Sequence, residues 1–334
     1  NRIKEKYMAG KRYFDYPMLF LVIFLICFGL VMIYSTSSYK STVTYGNSYH
    51  WLLRQAVAIV LGAVAMVVCC KLDYRIIKSE KVGNGCYWAS IVLLVLVLII
   101  GAAKKGAVRW ISIAGFQFQP SEVSKILVVI YLANRLSANA HKIRTFKDSI
   151  VIVLPTVPII ALIVTQNLST ALVVCSMIGV MLFVVSPKMK ELMLTAGGGI
   201  ILLFVYLLTA NSYRNERVQI WLHPESHKKG FQTMQALYAI GSGGIFGKGL
   251  GQSMQKMGFI PESHNDMIFS VVCEELGMVG AIALIVLFIV FLYRLALIAM
   301  NADDRFGSLV SCGVMTHVAV QLLINMGVVT NTIP

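Results

Sequence analysis

The apolar residues of this chain fall into long blocks separated by shorter polar stretches, and the fold is predicted from this pattern. Each block holds about 20 residues, enough for a helix to cross the roughly 30 Å hydrocarbon layer of a bilayer. The blocks predict nine membrane spans, at 17–36, 51–70, 87–103, 120–137, 150–165, 170–186, 192–210, 267–293 and 306–329. We therefore expect an all-α integral membrane protein, built as a polytopic helical bundle.

The polar stretches between the blocks are short, with one exception at 211–266, before the eighth block. A loop of this length in an otherwise economical bundle usually carries function. No internal repeat divides the sequence, so we treat 1–334 as a single transmembrane domain that includes this loop. The sequence starts without Met and stops directly after the ninth block, so we expect both ends to be trimmed.

Composition and charge agree with this pattern and add an orientation. Charged residues make up 13% of the chain and hydrophobic residues 57%, whereas a soluble domain is roughly a quarter charged. If the N-terminus is cytoplasmic, most Lys and Arg residues fall in segments on the cytoplasmic side, where membrane proteins carry an excess of positive charge. The Lys and Arg residues of long outer segments count little in this rule. We therefore predict a cytoplasmic N-terminus and an extracellular 211–266 loop. The net charge of +14 reflects this topology and attraction to anionic membrane lipid, and it does not indicate nucleic-acid binding.

The orientation narrows the carboxylates that could do chemistry on the outer face. Most of the 15 acidic residues fall in inner segments among basic residues, where a solvated surface role is the better interpretation. The acids on the outer side or at membrane depth are Glu122, Glu216, Glu225, Glu262, Asp266, Glu274 and Glu275. Any outward-facing carboxylate chemistry must draw on this set.

Asp266 is the leading candidate in this set, because it directly precedes an apolar run at the start of the eighth block. Two interpretations remain open and are compatible: a helix N-cap that binds exposed backbone N–H groups, or a general base at the membrane–water boundary. Glu262 and His264 lie four and two residues before it, where they would assist the base or bind a cation. Two acids and one His within five residues only weakly indicate a metal site, and the residues do not identify a metal.

Charged residues at membrane depth form a second candidate group. Glu122 and Lys125 are three residues apart at the start of the fourth block, so they share one helix face, where ionisable groups usually face a cavity or each other. Positive charge suited to a diphosphate is offered on the outer side by Arg54, Arg109, Lys125, Arg214 and Arg217. Anchoring at the lipid headgroups is the alternative role for each of these bases.

The glycine cluster between Gly241 and Gly251 does not match a nucleotide-binding loop. Ser242 stands where such a loop needs glycine, and Gly249 stands where it needs Ser or Thr after Lys248. The cluster also lies on the predicted outer side of the membrane, where ATP is absent. A flexible or re-entrant loop is the better interpretation.

Several separated segments resemble the shape, elongation, division and sporulation (SEDS) family, the RodA/FtsW peptidoglycan glycosyltransferases. They are Lys105–Lys125, Asn167–Ala171, Gln232–Gly249 and Pro261–Gly277. The resemblance covers the whole chain in order. Within the family, Phe259–Phe269 with the following Glu274-Glu275-Leu-Gly277 is more similar to the division and sporulation branch, FtsW and SpoVE, than to RodA.

The resemblance implies a ten-span protein of the bacterial cytoplasmic membrane that polymerises lipid II, a disaccharide-peptide on undecaprenyl diphosphate, into β-1,4 glycan on the outer face. It implies that Asp266 is the essential aspartate and that the polar groups of the central cavity are Arg54, Arg109, Glu122 and Lys125. The implied partners are a class B penicillin-binding transpeptidase and other division proteins. No tightly bound cofactor is implied, and Mg²⁺ or Mn²⁺ is an alternative source of positive charge.

Two features depart from the family pattern. Asn167 stands where the family often has an acid, so any role for that acid is in doubt here. The sequence also stops before the family's tenth span, whose site residues therefore cannot be named.

The residues and the resemblance agree on one reaction. A sugar hydroxyl attacks the anomeric carbon of a sugar diphosphate with inversion, Asp266 accepts the proton, and basic residues or a cation stabilise the leaving diphosphate. A lipid II flippase is the main alternative, and it predicts polar residues that continue to the cytoplasmic end of the bundle. The inner halves of the blocks are apolar instead, as in 151–154 and 172–185. A purely structural scaffold for the transpeptidase would make Asp266 dispensable.

Overall fold

The computed structural model describes residues 14–104, 107–113, 116–143, 145–186, 218–227, 230–261 and 263–333. Its helices are α1 (Tyr16–Tyr45), α2 (His50–Lys71), α3 (Glu80–Ile100), α4 (Pro120–Asn139), α5 (Phe146–Val153), α6 (Val157–Gln166), α7 (Leu168–Val185), α8 (Phe231–Ser242), α9 (Ile268–Met300) and α10 (Arg305–Val329). Within these residues, seven helical segments are long and apolar enough to cross a membrane. The predicted multi-pass helical membrane fold is confirmed.

Most of the predicted blocks correspond to helices, with shifted ends. The first helix runs on to Tyr45 instead of ending at residue 36, because its polar end is buried against other elements. In that end, the Thr36 hydroxyl donates a hydrogen bond to the Met32 carbonyl at 2.8 Å. The fifth block is interrupted by a 3₁₀ turn at Leu154–Thr156, which contains a proline. The block at 192–210 lies outside the described residues, so the count of nine spans stays a prediction.

A small antiparallel sheet interrupts the helical pattern on the predicted outer side. Its strands are β1 (Ala102–Lys104), β2 (Ala107–Ile113) and β3 (Phe116–Phe118), in the order β1-β2-β3. The third block was predicted to continue as a span to residue 103. Instead α3 ends at Ile100, Gly101 takes an extended conformation, and the chain enters β1. The sheet leads directly into α4 and positions β2 beside the helix ends at this side of the bundle.

Helix α4 is the central helix, and it is not one of the seven apolar segments, because it carries Glu122, Lys125 and Arg135. It packs against α3, α7 and α10 through a continuous buried cluster. A Cβ at Gly313 of α10 would meet the Val129 side chain at 2.6 Å, so glycine allows α10 to approach α4 closely. By contrast, no residue of α2 is buried against the described part of the chain, which fits a helix that faces lipid.

Several acids that the sequence assigned to the inner surface begin helices. Asp15 accepts from the Met18 amide at 3.0 Å, and Asp148 forms a capping box with Thr145 at the start of α5. Asp304 accepts from the Gly307 amide at 3.0 Å at the start of α10. A carboxylate at these positions satisfies backbone donors that the helix itself leaves unpaired.

Asp304 also joins the start of α10 to the loop before α3. Its carboxylate accepts hydrogen bonds from the Lys78 ammonium at 2.9 Å and the Tyr74 hydroxyl at 3.1 Å. Burial alone would raise the pKa of Asp304, but the bonds from Lys78, the Gly307 amide and Tyr74 outweigh it and lower that pKa below its ordinary 3.8. The ionised form is therefore favoured in the folded state.

We predict that Asp304→Asn lowers the stability of the protein at pH 7 by no more than about 1 kcal/mol, since Lys78 is partly exposed and screened. Because the pKa of Asp304 is lower in the folded state, the ionised carboxylate stabilises the fold above pH 3.8. This stabilisation is lost as the pH falls through the folded-state pKa. The difference between wild type and variant in thermal unfolding midpoint should therefore shrink towards pH 3. Asp303→Asn is the matched control, and an undiminished difference at low pH would contradict the prediction.

Candidate functional site

A buried ion pair marks the N-terminal end of the central helix α4. The Lys125 ammonium is 2.9 Å from Glu122 Oε2 and donates to Gln321 Oε1 of α10 at 3.0 Å. The Lys125 side chain is 2% exposed, whereas that of Glu122 is 45% exposed. A buried ammonium is stable only when it is paired and hydrogen-bonded, and both conditions hold here. The predicted pairing on one face of α4 is confirmed, and Gln321 is a contact that the sequence did not identify.

Arg109 lies on β2, and its Nε donates to the Gln166 carbonyl at the end of α6 at 2.5 Å. The Gln166 side chain in turn donates to the Leu94 carbonyl of α3 at 3.2 Å. The helix leaves the Gln166 carbonyl available because α6 ends there and a new helix begins after Asn167. Asn167 caps that new helix by accepting from the Ser169 amide at 3.1 Å, a role that does not need an acid.

Arg54 and His264 both contact Trp51, a residue that the sequence did not identify as part of the site. The Arg54 guanidinium carbon lies 5.6 Å from the centre of the Trp51 ring, and the His264 ring centre lies 4.8 Å from the same indole. Tyr45 and His50 extend the stack, with ring centres 3.9 Å apart. Cation–π and ring contacts of this kind hold a charged group in place at an interface.

Asp266 is exposed, and its carboxylate has no hydrogen bond or ion pair with the part of the chain that the structure describes. Helix α9 begins at Ile268, its N-cap is Met267, and no side chain caps it. The helix-cap interpretation of Asp266 is therefore wrong: the residue lies one position too early. Its backbone is nevertheless held, because the Asn325 side-chain amide of α10 donates to the Asp266 carbonyl at 3.1 Å.

A polar stripe on α10 connects the two halves of the candidate site. His317, Gln321 and Asn325 are spaced four residues apart, so they lie on one face of the helix. Gln321 holds Lys125, and Asn325 holds the backbone of Asp266 one turn further along, about 6 Å by helix geometry. The stripe therefore brings a cation and an exposed carboxylate to the same end of the bundle.

Two neighbouring acids on α9 are fully buried and paired. Glu274 accepts from the Lys248 ammonium at 2.8 Å, from the Ser253 hydroxyl at 2.5 Å and from the Met254 amide at 3.2 Å. The Ser242 hydroxyl is a fourth donor at 3.4 Å, and with these four donors the Glu274 carboxylate holds the end of the glycine cluster to the helix. It has no free acceptor geometry for a substrate proton, which removes it from the candidate bases.

Glu275 is the second buried acid, and it joins three separate segments. Its carboxylate is 2.7 Å from the Lys256 ammonium and 2.7 Å from the Ser35 hydroxyl of α1. Close by, the Ser263 hydroxyl donates to the Thr36 carbonyl of α1 at 3.2 Å. These contacts fix the segment that leads to Asp266 against α1 and α9.

The glycine cluster makes a backbone contact with a break in α9. Gly277 has φ 68° and ψ −167°, a conformation open essentially to glycine alone, and a Cβ there would meet the Gly247 amide nitrogen at 2.3 Å. The hydrogen bonds across the contact are Lys248 N to Glu274 O (2.9 Å), Gly249 N to Glu275 O (2.9 Å), Met278 N to Gly244 O (2.9 Å) and Val279 N to Ile245 O (3.1 Å). The loop thus replaces the helical hydrogen bonds that the break removes.

Arg214, Arg217 and Glu262 lie outside the described residues. Glu225 is 3.5 Å from His223 in an exposed pair. In the described ranges, no group of three or more His, Cys, Asp or Glu side chains converges as a metal site. Among the described acids of the predicted outer side, Glu122 and Asp266 are exposed and lie beside residues of α4 and α10 that hold Lys125 and the Asp266 backbone.

Comparison with known proteins assigns this arrangement to a family. Residues 16–334 match the family model of the FtsW, RodA and SpoVE cell cycle proteins. It is 37% identical to a probable peptidoglycan glycosyltransferase FtsW of Geobacter metallireducens, with 96% of this chain and 86% of the relative covered. It is 35% identical to the stage V sporulation protein E of Bacillus subtilis, with 96% of this chain and 88% of the relative covered.

Two solved structures share the fold. One, determined in a study of how a peptidoglycan synthase complex coordinates polymerization and crosslinking, has a TM-score of 0.79 and 27% identity, covering 97% of this chain and 89% of that one. The rod shape determining protein RodA of Thermus thermophilus has a TM-score of 0.68 and 26% identity, covering 97% and 86%. The higher identities to FtsW and SpoVE confirm the predicted branch.

Proposed function

Since the chain belongs to the FtsW, RodA and SpoVE family, we propose that it is a peptidoglycan glycosyltransferase that polymerises lipid II in cell division or a related septal process. The curated relatives at 35% to 37% identity carry that activity or a sporulation role in their names. One observation carries the chemical assignment. The Asp266 carboxylate is exposed, and Asn325 holds the Asp266 backbone at the same end of the bundle as the Lys125 ammonium.

The proposed reaction joins two lipid II molecules. The acceptor sugar hydroxyl attacks the anomeric carbon of the donor, the bond to the diphosphate breaks, and the configuration inverts. Asp266 takes the hydroxyl proton, a role open to an exposed carboxylate that has no partner among the described residues. The departing diphosphate carries the bonding electron pair as negative charge, and Arg109 and Lys125 would stabilise it. Glu122 would hold the Lys125 ammonium in position.

The other predicted donor and acceptor contacts belong to the same proposal. Arg54 and His264, held by Trp51, would bind a sugar or phosphate group next to Asp266. Arg214, Arg217 and Glu262 would contribute from the outer loop. A divalent cation, Mg²⁺ or Mn²⁺, would add positive charge at the diphosphate when it is bound, with Glu262 as its carboxylate ligand.

Topology and assembly complete the proposal. The bias of Lys and Arg supports a cytoplasmic N-terminus and catalysis on the outer face of the cytoplasmic membrane. A crosslinking partner is supported by the structural neighbour studied as a peptidoglycan synthase complex. We propose that the partner is a class B penicillin-binding transpeptidase, with other division proteins assembled around the pair.

The core of the bundle favours polymerisation over lipid transport. Towards the predicted cytoplasmic end, the space between α4, α7 and α10 is filled by buried apolar side chains, including Leu132, Leu136, Met177 and Phe306. A flippase needs a polar route for its headgroup across the membrane. This apolar cluster separates the polar residues of α4 and α10 near Lys125 from the predicted cytoplasmic end of the bundle.

The deciding experiment offers purified protein lipid II in detergent and analyses the products by gel, with and without divalent cation. Glycan polymer in the absence of any other polymerase supports the proposal. A parallel assay in liposomes measures transfer of fluorescent lipid II between leaflets. Transfer without polymer would overturn the proposal in favour of the flippase.

Arg109→Ala is predicted to slow polymerisation about tenfold or more, because one charged hydrogen-bond donor contributes roughly 1.5–3 kcal/mol. Arg109→Lys keeps the charge but loses the planar donor pair and should recover only part of the rate. Because Arg109 also ties the sheet to Gln166, the unfolding midpoint of each variant is measured alongside. An unchanged polymerisation rate in the alanine variant would remove Arg109 from the site.

A further inference from the structure

A polar cavity lies at the end of the bundle opposite the candidate active site. It has a volume of about 550 Å³ and lies between the loop before α3, the last turns of α4 and the start of α10. Arg135, which lines it, is ten residues along α4 from Lys125, or about 15 Å by helix geometry. By the charge bias of the loops, this end faces the cytoplasm.

The lining of the cavity is strongly basic. Lys78, Arg135, Lys142 and Arg305 contribute positive charge, and Glu80 is the one acid among the lining residues. Lys78 is already paired with Asp304 at 2.9 Å, outside the lining set. Arg135, Lys142 and Arg305 form no ion pair within the described ranges of the chain. The cavity therefore presents uncompensated positive charge.

Arg135 carries an unmet hydrogen-bond donor inside this cavity wall. Its guanidinium carbon lies 5.8 Å from the ring centre of Tyr131, a residue only 2% exposed. Its Nε is buried and has no hydrogen-bond partner among the described residues. A buried donor without an acceptor is unfavourable, and an anionic oxygen entering the cavity would supply one. The flat donor arrangement of a guanidinium matches phosphate oxygens.

The surroundings of the cavity indicate where such a phosphate comes from. Asn84 lines the cavity and lies on the same face of α3 as Trp88, Val95 and Ile99, at helical spacing. These three apolar side chains are 62%, 37% and 74% exposed on the bundle surface. A lipid-facing stripe thus begins at the basic cavity, and a Trp at this depth is typical of the headgroup level.

We propose that this cavity binds the phosphate-bearing headgroup of an anionic membrane lipid. Arg135, Arg305 and Lys142 contact the phosphate, and the acyl chains lie along the exposed face of α3. The bound lipid would connect α3, α4 and α10 at the end of the bundle away from the proposed catalytic residues. The proposal does not depend on the identity of the reaction on the other side.

Native mass spectrometry of the purified chain in detergent tests the proposal, with phosphatidylglycerol, phosphatidylcholine and glycerol 3-phosphate as probes. We expect wild type to retain phosphatidylglycerol in preference to phosphatidylcholine. The double variant Arg135→Gln/Arg305→Gln should bind about tenfold less of it, the effect of roughly one lost charged contact. The matched control Lys71→Gln/Lys147→Gln removes two exposed charges at the same predicted membrane face, outside the cavity, and should bind as wild type does.

Lys142→Gln keeps the test decisive if the double variant fails to fold, because Lys142 is exposed and its loss leaves the core intact. This single variant should also bind less phosphatidylglycerol than the control. Equal retention of phosphatidylglycerol by wild type and every cavity variant would overturn the proposal. So would equal binding of phosphatidylcholine, or displacement of the lipid by an equal concentration of glycerol 3-phosphate, which would point to a soluble phosphate ligand.

Discussion

Asp266→Asn should reduce lipid II polymerisation by the purified protein by at least about 100-fold, the lower end of what a positioned general base contributes. The amide has nearly the same shape as the carboxylate but cannot accept the proton of the attacking hydroxyl. The Asp266 side chain is exposed and does not cap α9, so its replacement should leave folding unchanged. The measurement is the rate of polymer formation, with the unfolding midpoint and lipid II binding as parallel readouts.

The control for this variant is Asp303→Asn, which removes an exposed carboxylate from the opposite end of the bundle. It should polymerise at the wild-type rate. Asp266→Glu keeps the carboxylate but moves it by one methylene, and it should retain an intermediate rate. Normal polymerisation by Asp266→Asn would refute the base assignment, while loss of binding in that variant would reassign Asp266 to holding substrate.

Gly277→Ala should destabilise the protein more than any single change at the surface of the helices. The backbone conformation of Gly277 alone makes a Cβ costly by about 1–3 kcal/mol, and the added atom would also press on the Gly247 amide and the Ile245 carbonyl at 2.3 and 2.5 Å. We expect the thermal unfolding midpoint to fall by roughly 5 °C or more. Polymerisation should fall with it, because the break at Gly277 lies two residues after Glu275, whose contacts with Lys256 and Ser35 hold the segment before Asp266.

Gly179→Ala is the matched control, since Gly179 is a helical glycine of α7 whose added Cβ meets nothing within 4 Å. Alanine there should be neutral or slightly stabilising. An unfolding midpoint of Gly277→Ala equal to that of this control would mean that the break in α9 is not fixed by the glycine contact. A normal midpoint with lost polymerisation would assign the break a role in the reaction alone.

The helices were predictable because the property that defines them is local. The length and hydropathy of each block decide whether it crosses a membrane, and no distant contact is needed to recognise this. The pairing of Glu122 with Lys125 was predictable for the same reason, since both lie on one turn of one helix. The short sheet at 102–118 was missed because its strands follow an apolar span without a clear alternating pattern.

The contacts that build the site were not predictable, because they join residues far apart in the chain. Lys125 and Gln321 are separated by 196 positions, and Lys256 and Ser35 by 221. A single Gln in an apolar block was the available signal for the first pair. The glycine cluster was interpreted as a flexible or re-entrant loop, and nothing in its sequence indicated that Gly247 would contact a break at Gly277.

Helix α4 has a consequence for how the protein is made. Its Lys125 is buried in the bundle, and the acceptor that helps to satisfy that ammonium, Gln321, is encoded 196 residues later. At roughly 5–20 residues per second, the ribosome adds Gln321 about 10 to 40 s after it adds Lys125. A nascent chain that ends before α10 cannot form this bond, so α4 remains a charged, incompletely paired helix until α10 has emerged.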